Sequence, residues 1–217
     1  IDRTAPTVFI SPAPAVPDGE RGWYDTLPLV TLSADEVSVI SYSLVASTGP
    51  WNVYLAPFLT SEGTVTIWAR ATDSVGNTSS VESTTLLVDT GDPSTTDDAT
   101  TATVNTTQTV HLSAADATSG IYASYWRVNA GAVNTYTSSG ITLSAEGTYT
   151  LDYYSVDVAG NTESIRTVIV RIDRTPPDVV ITNVANGVTY ATTRTPDAYS
   201  SDPSATVVAT LDGAPFI

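Results

Sequence analysis

Residues 61–78 read SEGTVTIWARATDSVGNT, and 84 residues further on 145–162 read AEGTYTLDYYSVDVAGNT. Both copies open on a small residue followed by Glu-Gly-Thr, and both close on Asp-x-x-Gly-Asn-Thr. Between those ends the residues alternate. Val65, Ile67, Ala69 and Ala71 fall on one side of an extended chain, and Thr64, Thr66, Trp68 and Arg70 fall on the other. In the second copy Tyr149, Leu151, Tyr153 and Ser155 alternate with Thr148, Thr150, Asp152 and Tyr154. Period 2 marks a strand with one face in a core. The Asp-x-x-Gly-Asn end is turn chemistry. Its glycine takes the positive φ of a tight turn, its aspartate accepts backbone N–H groups across the turn, and its asparagine tolerates the left-handed region. With the next apolar run at 82–88, this predicts a hairpin. The same oxygens suit calcium, which takes carboxylate and carbonyl ligands, so Asp73, Asn77, Asp157 and Asn161 are also candidate ligands. One loop holds too few carboxylates for a tight site, and further acids must converge on it.

The repetition extends outward from these stretches. Leu-Ser-Ala at 32–34 returns at 112–114, an offset of 80, so loop lengths differ between the copies. The joints repeat too: IDRTAP (1–6), VDTGDP (88–93) and IDRTPP (172–177) each place an Asp four residues before a Pro. A fixed period of this kind predicts modules at 1–90 and 91–174, with 175–217 opening a third that stops at about half length. About seven short strands, with turn signals every 8–12 residues, fit each copy, and no long segment keeps a helical period. The fold class expected is all-β, as tandem immunoglobulin-like antiparallel β-sandwiches. Without cysteine the core must rest on aromatics, with Trp23, Trp51 and Tyr54 the stock of the first copy and Tyr125, Trp126 and Tyr136 that of the second. Tyr149, just past the Glu146-Gly147 corner, is expected to bond its hydroxyl back to loop backbone. The half module, starting at VVIT (179–182), is expected to leave a sheet edge and an apolar face that require a partner, a missing remainder or disorder.

Acidic residues number 23 against 8 basic ones, all of them arginine, for a formal charge of −15. Such a surface repels phosphate backbones and anionic lipid, which argues against nucleic-acid binding and membrane docking. No apolar run approaches 18 residues, so membrane insertion is not expected. The charge does suit recruitment of a divalent cation. The chain has no Met and opens in mid-phrase at IDRT, which reads as a piece of a longer protein.

PDGERGWYDTLPLVTLSADE (17–36), GPWNVYLAPF (49–58), SEGTVTIWARATDSVGNTSS (61–80) and their second-copy counterparts resemble the bacterial Ig-like repeats of large surface and secreted proteins. The resemblance spans essentially the whole chain. It implies an extracellular or cell-surface location, neighbouring Ig-like modules of the same parent chain as partners, and roles as stalks of adhesins or accessory modules beside glycoside hydrolases. The first copy departs from the pattern where Asp35-Glu36-Val37 stands in place of Asp116-Ala-Thr-Ser-Gly120.

The joints gather acids. Asp89, Asp92, Asp97 and Asp98 lie within ten residues, and Asp173 and Asp178 stand at the next joint. Glu62 and Glu146, or Asp35, Glu36 and Asp116, would join them, depending on which pole of a sandwich faces the joint. The arrangement is loosely similar to cadherin joints, where interdomain acids hold calcium. Asp89, Asp92, Asp173 and Asp178 are therefore candidate calcium ligands. The competing reading is a solvated acidic linker stiffened by Pro93 and Pro176-Pro177. Catalysis finds little support, because His111 is the only histidine and no nucleophile motif surrounds it. Trp23 and Trp68 are candidate platforms for stacking sugar rings. The leading expectation is a non-catalytic spacer. Carbohydrate binding and self-assembly into a filament or surface layer are the alternatives.

Overall fold

A computed structural model of the chain describes residues 2–182, 188, 197–201, 206–207, 210–211 and 214–215, the last four by backbone alone. The first set of strands is β1 (Val8–Ala13), β2 (Trp23–Tyr24), β3 (Leu29–Ala34), β4 (Ser38–Ser43), β5 (Asn52–Val53), β6 (Phe58–Leu59), β7 (Gly63–Asp73) and β8 (Glu82–Val88). The second is β9 (Ser94–Asp97), β10 (Thr103–Val104), β11 (Gln108–Val110), β12 (Leu112–Ala115), β13 (Ile121–Val128), β14 (Asn134–Thr135), β15 (Ile141–Leu143), β16 (Gly147–Asp157) and β17 (Arg166–Ile172).

Each set builds a five-stranded sheet, β2-β8-β7-β4-β5 and β10-β17-β16-β13-β14, covered by shorter sheets: β1-β3-β6 in the first set, β12-β9 and β11-β15 in the second. The long alternating stretches are the central strands β7 and β16. Val65, Ile67, Ala69 and Ala71 are buried, as are Leu151, Tyr153 and Ser155. They meet Val8, Val30 and Leu32 in the first core, and Val110, Leu112, Ile141 and Leu143 in the second. Full burial of a side chain such as Ile67 or Leu151 contributes about 1.5–3 kcal/mol, so alternation in two 11-residue strands supplies much of the drive to collapse. The fold is an all-β sandwich.

Each five-stranded sheet carries one parallel pair at an edge beside its antiparallel ladders. β2 runs parallel to β8 and β10 parallel to β17, because in each set the chain reaches the edge of the five-stranded sheet beside its last strand and in the same direction. The extended run from Gln108 to Ala115 is interrupted at His111, between β11 and β12. There Asp98 Oδ1 accepts the His111 backbone N–H (2.6 Å), taking the donor that a ladder would use. One expectation needs correction: Trp23, Trp51 and Tyr125, expected in the cores, are not among their side chains. Trp51 lies beneath Arg70, whose guanidinium carbon is 4.3 Å from the ring centre, and Tyr125 stacks on Tyr154 at 5.3 Å. Arg70 and Tyr154 both project from the face of the sheet opposite the core. Tyr54, Trp126 and Tyr136 do pack against the cores. Tyr149 bonds through its hydroxyl to the Ala145 carbonyl (2.8 Å), as its place after the corner predicts.

Much of 175–217 lies outside the described residues. Within it, β18 (Val179–Thr182) pairs antiparallel with β19 (Asp197–Ser200), leaving Val179, Val180 and Ile181 exposed, and β20 (Thr210–Leu211) pairs with β21 (Ala214–Pro215).

Candidate functional site

Both Asp-x-x-Gly-Asn loops close as hairpins. Asp73 ends β7, and its Oδ1 accepts the backbone N–H groups of Val75 (2.9 Å) and Asn77 (2.8 Å). Its Oδ2 accepts the Asn77 side-chain amide (2.7 Å). Asp157 repeats the arrangement with Gly160 N–H (2.7 Å), Asn161 N–H (2.8 Å) and the Asn161 amide (2.8 Å). Gly76 and Gly160 have φ of +95° and +104°, the region a β-carbon disfavours. Desolvation works to raise the Asp73 pKa, but the hydrogen bonds from Asn77, Val75 and Gly76 together outweigh it and hold the carboxyl below its ordinary value.

What lies over the two loops differs. Val75 is 63% exposed, and nothing stands within 4 Å of where a side chain on Gly76 would begin. Over the second loop sits the first set of strands. Its segment 18–22, between β1 and β2, reaches the loop at Val158 and Ala159. The Glu20 N–H donates to the Ala159 carbonyl (2.6 Å), and Arg21 Nη1 donates to the Val158 carbonyl (3.2 Å). The Arg21 guanidinium lies 3.5 Å from the centre of the Tyr122 ring, a cation–π contact. This approach requires Gly19, since a β-carbon there would stand 2.6 Å from the Ala159 oxygen. Asp89, directly after β8, completes the joint. Its carbonyl accepts the Asn161 amide (3.0 Å), and its Oδ2 accepts the Ser119 N–H (2.9 Å). The second copy of the phrase is thus a hairpin and also the seat on which the first set rests.

Three carboxylates converge at this seat. Asp89, Asp116 and Asp157 each place an oxygen within 4.8 Å of the other two. Asp89 and Asp157 are fully buried, and Asp116 is half-buried. Asp116 Oδ1 accepts the N–H groups of Thr118, Ser119 and Gly120. Among the described residues no ion pair neutralises any of the three. Burying like charges costs free energy, which neutral N–H donors offset only in part. An all-oxygen set with no His or Cys suits a hard cation such as calcium rather than zinc. Asp2, Glu36 and Asp73 form a second, more exposed group at the corresponding positions of the first set.

The remaining joint acids are placed elsewhere. Asp92 is exposed and belongs to neither group. Asp97 Oδ2 accepts the Tyr153 hydroxyl (2.5 Å), and Asp98 Oδ2 lies 3.0 Å from His111 Nδ1. Asp173 Oδ1 accepts the Thr175 N–H, while the Asp178 N–H donates to Ser201 Oγ. Glu62 bonds the Thr90 hydroxyl and Glu146 the Thr175 hydroxyl. Each of these glutamates belongs to the set that ends at its joint, whereas Asp116 and Asp157 belong to the set that begins there. The sequence offered Asp116 only as one of two options for the pole. The offset of 80 that matches Glu36 to Asp116 is the signal that would have paired both with the hairpin aspartates. No repeat signal marks Glu20 and Arg21, because their contact joins unlike parts of the two sets. Trp23 and Trp68 are both half-buried, Trp68 on the face of β7 away from the core.

No family model and no curated protein matches the chain. Among solved structures, it is similar to the fibronectin(III)-like modules of Clostridium thermocellum CbhA, at 16% identity over 76% of this chain and 94% of that one, with a TM-score of 0.36. It is also similar to Drosophila N-cadherin EC1-3, at 13% identity over 78% and 68% of the two chains, with a TM-score of 0.30.

Proposed function

We propose that the chain is a non-catalytic spacer of tandem Ig-like modules in a bacterial surface or secreted protein, and that calcium stiffens its joints. The observation that carries the reading is the joint itself, where Glu20 and Arg21 grip Val158 and Ala159 and bring three carboxylates together. A rod needs joints that resist bending, and direct backbone bonds between the two halves serve that end. Each sandwich would add about 35–45 Å of reach, from strands of about 6–10 residues plus loops. Among the described residues no helix is long and apolar enough to cross a membrane.

Asp89, Asp116 and Asp157 would hold the ion through carboxylate oxygens, and Asp2, Glu36 and Asp73 would do so at the preceding joint. The ion would supply positive charge to three acids that, among the described residues, form no ion pair. Differential scanning calorimetry and 15N relaxation, each in calcium and in chelator, test the reading. Calcium should raise the melting temperature, and the two modules should tumble as one body. Melting that ignores chelator removes the calcium element, and independent tumbling of the modules removes the spacer reading.

A further inference from the structure

The outer face of the second five-stranded sheet carries a cleft of about 300 Å³ between β13, β16 and the segment before β17. Trp126, Val133, Tyr154 and Ile165 are among its apolar lining, and Arg127, Asp152 and Glu163 among its polar lining. Arg127 Nε donates to Asp152 Oδ2 (2.9 Å), and Asp152 Oδ1 accepts the Thr167 hydroxyl (2.7 Å). Among the described residues the two Nη atoms of Arg127 make no hydrogen bond, and the side chain is about a third exposed. Stacking on Tyr125 holds the Tyr154 ring in place, so little order is lost when a ligand covers it.

The first set shows what this place looks like when it is filled. Asn52 pairs with Tyr42 as Asn134 pairs with Trp126, and Trp68 pairs with Ser43 as Asp152 pairs with Arg127. Trp51 therefore stands where Val133 stands, and Trp68 where Asp152 stands. Arg70, the counterpart of Tyr154, covers the Trp51 ring. The second set has exchanged two indoles for a valine and a carboxylate, which opens the cleft and lines it with an ion pair.

We propose that this cleft binds one ring of a neutral oligosaccharide, with Tyr154 against the ring face and Arg127 and Asp152 on adjacent hydroxyls. A pyranose presents C–H groups on one face, which pack on an aromatic ring. Its vicinal hydroxyls both donate and accept, and they match a guanidinium beside a carboxylate. The volume stands at the small end of ligand pockets, which suits one ring rather than a long chain. Asp152 already neutralises Arg127, and the chain carries −15 overall, so an acidic sugar gains nothing here. The site is distinct from the joint, and its failure leaves the spacer reading untouched. The proposed site is separate from Trp23 and Trp68, the platforms expected from the sequence.

The test is 15N-HSQC titration of the full 217-residue chain with gluco-, xylo-, manno- and galacto-hexaoses at about 5 mM, enough to register millimolar affinity. At least one sugar should shift the amides of 127, 133, 152–154 and 162–165. Tyr154→Ala should weaken that binding by about tenfold or more. Val133→Trp, which fills the cleft as the first set does, should abolish it while the rest of the spectrum stays in place. Trp68→Ala should leave it unchanged. Silence with all four sugars, shifts located elsewhere, or binding that survives Val133→Trp overturns the proposal.

Discussion

Asp157→Ala separates the two roles of the second Asp-x-x-Gly-Asn loop. The substitution removes an acceptor of three hydrogen bonds, from Gly160, Asn161 and the Asn161 amide. Two of these donors are backbone N–H groups of part-buried residues, and Glu20 of segment 18–22 packs against the first of them, Gly160. Each buried donor left without a partner costs about 1–3 kcal/mol. Loss of one of three like charges returns about 1–3 kcal/mol at the observed spacing. The expected net destabilisation in chelator is about 2–3 kcal/mol, or about 10–20 °C for a module of this size. Asp73→Ala also breaks three bonds, from Val75 N–H, Asn77 N–H and the Asn77 amide, but in the open copy, where water replaces them, so its cost should be about 1 kcal/mol. Asp157→Asn keeps an acceptor for the backbone, removes the charge, and should stay within about 1 kcal/mol of the parent. Urea unfolding in chelator, followed by the NMR signals of each half, measures all three. Equal costs for Asp157→Ala and Asp73→Ala would refute the claim that burial under the first set adds anything to the hairpin.

Three further outcomes follow from the same geometry. Gly19→Ala should push segment 18–22 off Ala159, raising motion between the two sets of strands in 15N relaxation with little change in the melting of either half. The Thr167 hydroxyl and Arg127 hold the Asp152 pKa below 3.8, although burial opposes them. A depressed carboxyl contributes stability above its unfolded value and loses it as pH falls through the folded one. Second-half stability should therefore drop below about pH 4, and Asp152→Asn should remove that part of the acid limb. Burial, with help from its bond to Asp97, pushes the Tyr153 pKa up to about 12. Its contribution is present below pH 10 and lost as pH rises towards 12, so absorbance titration should show one late tyrosine that Asp97→Asn brings down.

Much of the fold is legible along the chain because its causes are local. β7 and β16 announce themselves by period 2, since successive side chains of a strand point to opposite faces. Their hairpins announce themselves by Asp, Gly and Asn, since those residues meet the backbone demands of a turn within five positions. Tyr149 finds the Ala145 carbonyl for the same reason, its partner being four residues away. Local pattern fails where a side chain has two faces to choose between. Trp51 reads as core by composition, but it sits outside because Arg70 offers its ring a partner there.

The all-β class, the long central strands, the hairpins and the excess of acid can all be read along the chain. Each depends on residues a few positions apart or on composition. Which acids meet depends on packing in three dimensions. Asp89, Asp116 and Asp157 are separated by tens of residues and held together by a joint whose contacts at Gly19, Glu20 and Arg21 have no counterpart in the repeat. Which of two nearly identical loops is buried depends on what packs over it, and packing between distant segments leaves no period in the chain.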